Sequence, residues 1–315
     1  MLDLADHWVW DFWLADDGVD YHAFFLQAPR SLGDPELRHA NASIGHAVSS
    51  DLSSWTVLPT VIAPGPAGSF DDLSTWTGSV VRDRAGRWWL FHTGITQELG
   101  FRLQRIGMGT SDDLRHWYGD GVVCTADPRF YDTLSGGQPE EHWRDPWVVQ
   151  DERGLWHMYV TARAGEQPGS GVVGHATSGD LRSWTVLPPL SRPTGRFDWL
   201  EVISVLEVEG RWVALFSCLA DHMPHDEPGS GGIWSVPVDG PGAHVDVAGA
   251  VRLTSEDLYV GKVVALRDGG YRFLAFENRG PDGSFVGGII DPLLVTWRAD
   301  GAGLELVDAP SGWKG

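Results

Sequence analysis

The sequence predicts an all-β protein, a five-bladed β-propeller that forms a single domain over residues 1–315. Three observations predict this class. One fifteen-residue pattern occurs three times, and a hairpin turn with a glycine occurs five times at a nearly constant spacing. No long segment has the apolar period of about 3.6 residues that is typical of a helix.

The fifteen-residue pattern is "IGHAVSSDLSSWTVL" from Ile44, "IGMGTSDDLRHWYGD" from Ile106 and "VGHATSGDLRSWTVL" from Val173. The steps between the copies are 62 and 67 residues. The copies align Gly45 with Gly107 and Gly174, Asp51 with Asp113 and Asp180, and Trp55 with Trp117 and Trp184. Because these tryptophans recur with the repeat, we expect them to pack within and between the blades.

The hairpin turns extend the count to five units. Each turn precedes an aromatic-rich strand, as in "RAGRWWLFHT" and "ERGLWHMYVT". The turn glycines are Gly18, Gly86, Gly154, Gly210 and Gly270, with spacings of 68, 68, 56 and 60 residues. A small twisted sheet cannot bury both faces alone, and radial packing of five sheets solves this. The period is too long for a β-helix and too regular for a β-sandwich, the two structural alternatives.

Acidic residues begin the first strand of three hairpins. Counting back seven residues from Gly18 reaches Asp11, and counting back nine reaches Thr77, Asp145, Glu201 and Gly261 in the other four units. The first strand of a propeller blade is innermost, so we expect Asp11, Asp145 and Glu201 to converge at one mouth of the central channel. The alternative is that each carboxylate only caps a turn. Three converging carboxylates favour a functional site, because like charges raise one another's pKa at a cost in stability.

Two carboxylates on either side of a glycosidic bond are what glycoside hydrolysis requires. Glu201 follows Trp199 and Leu200, so an apolar wall is expected to raise its pKa and favour the role of acid. Asp11 would then be the nucleophile or the base. Arg144 is expected to keep Asp145 ionised, which suits the binding of hydroxyl groups and the support of positive charge at the anomeric carbon.

The motifs around these residues resemble the five-bladed propeller glycosidases, above all glycoside hydrolase family 32 and the related family 68, with family 43 more distant. "HWVWDFW" from His7 resembles the family's Trp-Met-Asn-Asp-Pro-Asn segment, which implies a nucleophile at Asp11. "WRDPWVV" matches the Arg-Asp-Pro motif, which implies a transition-state stabiliser at Asp145. "DWLEVISVL" from Asp198 resembles the Glu-Cys-Pro motif, which implies the acid/base at Glu201.

Two further segments carry the resemblance into the second and fifth units. "STWTGSVV" from Ser74 resembles the segment that lines the sugar subsite, and "EDLYVGKVV" from Glu256 loosely resembles the Asp-Phe-Tyr-Ala segment. Of the tryptophans that flank the expected mouth (Trp8, Trp10, Trp13, Trp76 and Trp143), Trp76 is the first choice for stacking on a sugar. The expected substrate-binding residues are Trp10, Trp76, Thr77, Ser79, Arg144 and Tyr259.

The chain also departs from the family 32 pattern. Trp10 and Phe12 stand where the family has Asn and Pro, Leu26 falls on a family Gln, and Val202 replaces the Cys that follows the acid/base. The sequence ends shortly after the fifth unit, so the C-terminal β-sandwich of family 32 is expected to be missing.

Composition narrows the classes of partner. The net charge of −20 argues against nucleic acid and anionic membranes, and no run of 18 apolar residues suggests a membrane span. Two cysteines, Cys124 and Cys218, are too few for a disulfide framework and are expected to be reduced and partly buried. The first residues lack the features of a secretory signal, so the protein is expected in the cytoplasm unless a signal was removed.

The remaining polar candidates lie in loops. "CLADHMPHDE" brings Asp221, His222, His225 and Asp226 together, and a polar loop near the mouth is favoured over a metal cluster. Three long loops, from Pro29, Pro128 and Glu227, are candidates for shaping the pocket. His142 and His175 are candidates for hydrogen bonds to a substrate. No metal or cofactor is expected.

The sequence therefore predicts a furanoside-cleaving glycoside hydrolase, β-fructofuranosidase-like, with a carbohydrate substrate and a retaining mechanism. The alternatives are an inverting, family 43-like arabinofuranosidase or xylosidase, a fructosyltransferase, and a non-catalytic sugar-binding propeller. Linkage and oligomeric state are left open.

Overall fold

A computed structural model describes residues 1–224 and 229–307. Within them, twenty strands form five antiparallel sheets of four strands, each in sequential order. The first sheet holds β1 (His7–Asp16), β2 (Tyr21–Pro29), β3 (Ser43–Ser49) and β4 (Thr56–Ile62), and the second holds β5 (Ser74–Arg82), β6 (Trp88–Thr96), β7 (Gly100–Ser111) and β8 (Tyr118–Cys124). The third holds β9 (Trp143–Gln150), β10 (Trp156–Arg163), β11 (Gly171–Ser178) and β12 (Thr185–Leu187).

The fourth sheet holds β13 (Glu201–Val208), β14 (Arg211–Cys218), β15 (Gly232–Pro237) and β16 (Val251–Ser255), and the fifth holds β17 (Leu258–Ala265), β18 (Tyr271–Glu277), β19 (Leu293–Trp297) and β20 (Leu304–Val307). The described helices are short 3₁₀ turns at Arg30–Leu32, Pro35–Ala40, Ala220–His222 and Val247–Gly249. In the described residues, no helix combines the length and the apolar character that a membrane crossing would require.

The first strand of each sheet lies next to the first strands of two other sheets. β5 contacts β1 and β9, β13 contacts β9 and β17, and β17 contacts β1. The five first strands thus form a closed ring around a central axis, with each sheet as one blade. The predicted five-bladed β-propeller is confirmed.

The fifteen-residue repeat forms the corner between the third and fourth strands of blades 1 to 3. Asp51 accepts hydrogen bonds from the backbone N–H groups of Ser53 and Ser54, and Asp113 and Asp180 cap the equivalent corners. The tryptophan that follows packs on the preceding blade. Trp117 contacts Phe24 edge to face at 5.9 Å, and Trp184 contacts Phe91 at 5.5 Å. The expected packing role is confirmed for these two tryptophans, and Trp55 packs against the core of blade 1.

The repeated glycine is required by close packing. A Cβ atom on Gly174 would lie 2.5 Å from Val160 and 3.0 Å from Trp143. A side chain there would force neighbouring groups apart, since real Cβ atoms do not approach that closely. In blade 3 the glycine therefore limits how closely the second and third strands can pack.

The ring is closed by the N-terminal segment. Leu2 and Ile289 exchange two backbone hydrogen bonds of 2.9 Å, which joins the segment before β1 to blade 5. Both side chains are buried in the cluster that includes the core of blade 1. The side chains of Cys124 and Cys218 are both buried.

Candidate active site

A bulge interrupts the first strand of every blade at the same level. The pairing of β1 with β2 skips Asp11, and that of β5 with β6 skips Thr77. In β9, β13 and β17 the pairing passes over Asp145 and Pro146, Val202 and Ile203, and Val260 and Gly261. A bulge frees a residue from the ladder and redirects its side chain.

The bulges correct one detail of the sequence prediction. Asp145, Val202 and Val260 share a left-handed backbone, with φ of 59°, 51° and 54°, so they are the equivalent positions. Glu201 lies one residue earlier, at the level of Arg144. Counting back nine residues was therefore off by one in two blades. In blade 4 the equivalent position is Val202 rather than Glu201, because the turn between β13 and β14 is shorter than the turn of blade 3. In blade 5 it is Val260 rather than Gly261.

Two rings of side chains follow from this register. The floor ring consists of the bulge residues Asp11, Thr77, Asp145, Val202 and Val260. The rim ring consists of the residues just before them, Trp10, Trp76, Arg144, Glu201 and Tyr259. All of the rim ring and the first four floor residues line one cavity of about 650 Å³. The three carboxylates thus converge, as the sequence predicts.

The bulge explains why Arg144, Asp145 and Pro146 lie near the start of β9. A proline has no N–H to donate to a ladder, and here it lies where the pairing is already interrupted. The backbone N–H of Asp145 is satisfied outside the ladder by Thr93 Oγ1 at 2.9 Å. The motif therefore aims a carboxylate into the cavity while the N–H group of Asp145 keeps a hydrogen-bond partner.

Glu201 is held by two neighbours from other blades. Arg144 donates to Oε1 at 2.7 Å, and the Tyr259 hydroxyl donates to Oε2 at 2.5 Å. Burial raises the pKa of Glu201, but the charge of Arg144 and the hydrogen bond from Tyr259 outweigh it, so the pKa lies below its ordinary value. The expectation of a raised pKa is wrong for the free protein.

The pKa of Asp11 is shifted in the opposite direction from that of Glu201. Burial and then the charge of Asp145 raise its pKa to about 7, although Thr77 donates a hydrogen bond to its carboxylate. Asp11 is thus the carboxyl group of the trio that most readily carries a proton at neutral pH.

Asp145 is buried on the floor between blades 3 and 4. Its Oδ2 accepts hydrogen bonds from Thr161 Oγ1 at 2.9 Å and from the Val202 N–H at 3.4 Å. Burial raises its pKa to about 6, and the charge of Arg144, whose Nε lies 3.4 Å from Oδ2, opposes this. Asp145 is therefore still largely ionised at neutral pH, as expected, although Arg144 does not fully offset the effect of burial.

Arg144 is fixed by groups that the sequence did not single out for that purpose. It donates to Gln104 Oε1 at 3.2 Å and to His142 Nδ1 at 3.0 Å. Burial and then the charge of Arg144 lower the pKa of His142 to about 3, so its ring is neutral and Nδ1 accepts. The guanidinium is thereby held against Glu201.

Aromatic side chains form much of the cavity wall. Trp76 lies 5.1 Å from Phe101 between ring centroids, and its Nε1 donates to the His39 carbonyl at 2.7 Å. Trp10, Trp199 and Phe285 also line the cavity. Of these rings, the sequence singled out Trp10 and Trp76 for sugar contact.

Several sequence candidates lie elsewhere. Ser79 is buried and does not line the cavity, because it comes two residues after the bulge, so its expected sugar contact is wrong. Trp8, Trp13 and Trp143 belong to the packed core rather than the mouth. His175 is hydrogen-bonded to His157 at 3.0 Å inside blade 3, away from the cavity.

Loop residues complete the site. Glu36, Arg38 and His39 come from the loop that begins at Pro29, and Glu140 from the loop that begins at Pro128, as expected of those loops. Asp221 and His222 line the cavity, whereas His225 and Asp226, with Glu227 of the third loop, lie outside the described residues. Over residues 1–224 and 229–307, no three potential ligand side chains are grouped to hold a metal ion.

Comparison with known proteins agrees with this architecture. A family model described as the N-terminal domain of the glycosyl hydrolases family 32 matches residues 14–228, more than half of the chain. The chain belongs to glycosyl hydrolase family 32. The matched part of this family 32 chain contains Asp145 and Glu201 and begins three residues after Asp11.

Curated relatives of the family 32 chain share about a third of the aligned residues. A fructan 6-exohydrolase of Triticum aestivum is 31% identical over 171 residues, 52% of this chain and 26% of the relative. A sucrose-6-phosphate hydrolase of Zymomonas mobilis is 31% identical over 188 residues, 55% of this chain and 34% of the relative. The alignments thus span about a quarter to a third of these relatives.

Solved structures share the fold over nearly the whole family 32 chain. An inulosucrase from Halalkalicoccus jeotgali bound to kestose superposes with a TM-score of 0.76 at 21% identity, covering 97% of this chain and 89% of that one. The fructan 1-exohydrolase IIa from Cichorium intybus gives a TM-score of 0.70 at 16% identity, covering 97% and 59%. At these identities the likeness concerns the fold.

Proposed function

We propose that this chain is a glycoside hydrolase that cleaves β-fructofuranosides with retention of configuration. The observation that carries the proposal is the convergence of Asp11, Asp145 and Glu201 in one cavity of about 650 Å³. Two carboxyl groups, one as nucleophile and one as acid/base, are sufficient for a retaining displacement at an anomeric carbon. Membership of family 32 supports the same assignment.

In the first step, a carboxylate oxygen of Asp11 attacks the anomeric carbon. The bond to the leaving oxygen breaks, and Glu201 transfers its proton to that oxygen, so that a glycosyl ester of Asp11 is formed. In the second step, Glu201 takes a proton from water, the water oxygen attacks the anomeric carbon, and the ester bond to Asp11 breaks. The products are the free sugar and the leaving alcohol, and both carboxyl groups return to their initial states.

Asp145 stabilises the positive charge that develops at the anomeric carbon in both steps. Its hydrogen bonds from Thr161 and from the backbone of Val202 fix its orientation in advance. A preorganised charge of this kind lowers the barrier because nothing has to reorient as the reaction proceeds.

The two pKa shifts determine how the protons are distributed. Arg144 and Tyr259 favour the ionised form of Glu201, which the second step requires, and the pKa of Asp11 is raised to about 7. The first step needs the opposite distribution, with Glu201 protonated and Asp11 ionised. The rate is therefore expected to follow two macroscopic pKa values that belong to the group of carboxyls rather than to one residue.

The sugar is proposed to lie on the floor ring between the aromatic walls. The indole rings of Trp76 and Trp10 would contact the apolar side of the sugar. The side chains of Thr77, Arg144 and Tyr259 would form hydrogen bonds with its hydroxyl groups. The named activities of the relatives, on fructans and sucrose 6-phosphate, support a fructosyl unit at the centre of the site. The closed ring of blades supports the treatment of residues 1–315 as a single catalytic domain, and no cofactor is proposed.

Hydrolysis assays with matched variants test the proposal. The wild type is expected to release fructose from sucrose or from short fructans, and Asp11→Asn and Glu201→Gln are each expected to lose about 10³-fold or more in kcat. Glu207→Gln, an exposed glutamate on the same strand as Glu201, serves as the control and is expected to keep wild-type activity. Undiminished hydrolysis in either catalytic variant would overturn the role proposed for that residue.

Trapping with methanol tests the stereochemistry. A glycosyl ester can be intercepted by methanol, so a retaining enzyme is expected to give methyl β-fructofuranoside from a β-fructofuranoside. Hydrolysis without any methyl glycoside, or activity confined to arabinosides and xylosides, would instead favour an inverting enzyme in which Asp11 acts as base. Transfer of fructose to a second sugar as the main product would favour a fructosyltransferase.

A further inference from the structure

A lysine lies in the axial channel beneath the floor of the cavity. The second residue after each floor residue forms a third ring, the lower ring, which consists of Trp13, Ser79, Trp147, Ser204 and Lys262. Lys262 is the charged member of this ring, and it is 4% exposed. Lys262 lies on β17, three residues after Tyr259. No step of the proposed mechanism uses it.

The position of the ammonium group follows from its contact with another blade. Lys262 belongs to blade 5, and its Nζ lies 4.9 Å from the centroid of the Trp147 ring, which belongs to blade 3. These two blades are not neighbours in the ring. The Trp147 ring extends over the first strand of blade 4, where its Nε1 donates to the Val205 carbonyl at 2.9 Å. The ammonium group therefore lies on the inner side of the ring of blades, beside the first strand of blade 4.

The charged groups around Lys262 come from the strands that surround the channel. β1 contributes Asp11 and β9 contributes Asp145, both of which interact electrostatically with the ammonium group. β5 offers the neutral side chains of Thr77 and Ser79. Burial lowers the pKa of Lys262 to about 8, whereas the two aspartates oppose this shift, so the group is a cation at neutral pH.

The remaining charged groups of the site are already engaged with other partners. Arg144 of β9 is bound to Glu201 of β13, and Tyr259 of β17 donates to that same carboxylate. Arg38 is bound to Glu36 and lies over the ring of Phe285 at 3.9 Å, and its charge also lowers the pKa of Asp11. On β18, the strand that pairs with β17, the partner of Lys262 is the apolar Leu274.

We propose that Lys262 is a positioning residue whose ammonium group is a countercharge that favours the ionised forms of Asp11 and Asp145 beneath a bound sugar. This inference rests on the proposed function, in which both aspartates act as anions. A bound sugar removes water from the upper side of the floor, and the loss of water disfavours charge on both carboxylates. A cation in the channel compensates from below, where it takes no space from the substrate.

The pH dependence of kcat tests this role, because kcat reports the ionisation of the enzyme–substrate complex. Lys262→Met keeps the length of the side chain and removes its charge. The acid limb of the profile is expected to move up by on the order of one pH unit, so that activity falls about tenfold at pH 6 and little at pH 8. Ser204→Ala, a change in the same ring without a change in charge, is expected to leave the limb in place.

Thermal stability provides a readout that does not depend on activity. At pH 8 the variant buries two carboxylates without their cation, whereas at pH 5 the wild type buries the cation beside largely protonated carboxyls. The melting temperature of the wild type relative to Lys262→Met is therefore expected to rise between pH 5 and pH 8. A purely structural role for the side chain gives a difference that does not change with pH.

The outcomes separate the two proposals. An acid limb that stays in place, or a stability difference that is constant with pH, overturns the role of Lys262 even in an active enzyme. A wild type that hydrolyses no furanoside overturns the proposed function, and the stability measurement then decides by itself whether Lys262 is the countercharge of the two aspartates.

Discussion

At the scale of single residues, the sequence predicted which acidic groups meet but not which of them carries a proton. Glu201 follows two apolar residues, and its neighbours in sequence suggested a raised pKa. Its neighbours in space are Arg144 of blade 3 and Tyr259 of blade 5, and they reverse the shift. Because the pKa depends on contacts between distant parts of the chain, local sequence was insufficient.

The raised pKa of Asp11 gives a prediction about stability. Its pKa of about 7 in the folded protein lies above the ordinary aspartate value of 3.8, so the fold favours the neutral form. Its stabilising effect is complete below about pH 4 and is lost as the pH rises through 7. Asp11→Asn removes this dependence. We compare the unfolding free energy of the variant with that of the wild type at each pH. When the pH rises from 5 to 8, this difference is expected to shift by about 1–3 kcal/mol in favour of the variant.

Urea unfolding at the two pH values measures this gain. Asp268→Asn changes an exposed aspartate and serves as the control, for which the difference from the wild type is expected to stay constant. If the difference in unfolding free energy between Asp11→Asn and the wild type is the same at pH 5 and pH 8, the pKa of Asp11 is not raised. Stability gained together with activity lost would identify Asp11 as a residue that is kept for function.

At the scale of elements, the strands and corners were predictable because their signals are local. The Asp and Trp of each corner and the Gly of each turn act on residues within a few positions along the chain. The bulges were not predictable in the same way, because counting from a turn assumes a constant turn length. Blade 4 has a shorter turn, and this shifted Glu201 by one residue from its assumed level.

The repeated glycine of β11 allows a prediction at this scale. A Cβ atom on Gly174 would lie 2.5 Å from the side chain of Val160 and 3.0 Å from that of Ala162, so neighbouring groups must shift to admit it. We expect Gly174→Ala to lower the unfolding free energy by about 1–3 kcal/mol. Gly179→Ala, where a Cβ atom would meet nothing within 4 Å, is the control and is expected to stay within about 0.5 kcal/mol of the wild type. Equal effects in a urea titration would refute the packing argument.

At the scale of the whole molecule, the fivefold repeat was sufficient to predict the closed ring and the convergence at its axis. The outer part of the cavity was not predictable to the same extent. Arg38, Phe101 and Phe285 come from three different blades, and nothing in the repeat marks them as cavity residues. These wall segments differ between blades, so symmetry predicts the floor of the site better than its walls.

Closure of the ring by the N-terminal segment leads to a prediction about cooperativity. Leu2 is 2% exposed and pairs with Ile289 of blade 5, so Leu2→Ala removes apolar contacts where the first and last blades meet. We expect a loss of about 2–4 kcal/mol in unfolding free energy. Leu294→Ala, the same substitution at a residue that is 44% exposed, is expected to cost under about 1 kcal/mol.

Because each blade is stabilised by its neighbours, tryptophan fluorescence and far-UV circular dichroism are expected to report one shared transition in both variants. A separate early transition in Leu2→Ala would instead mean that blade 5 opens without the rest of the ring.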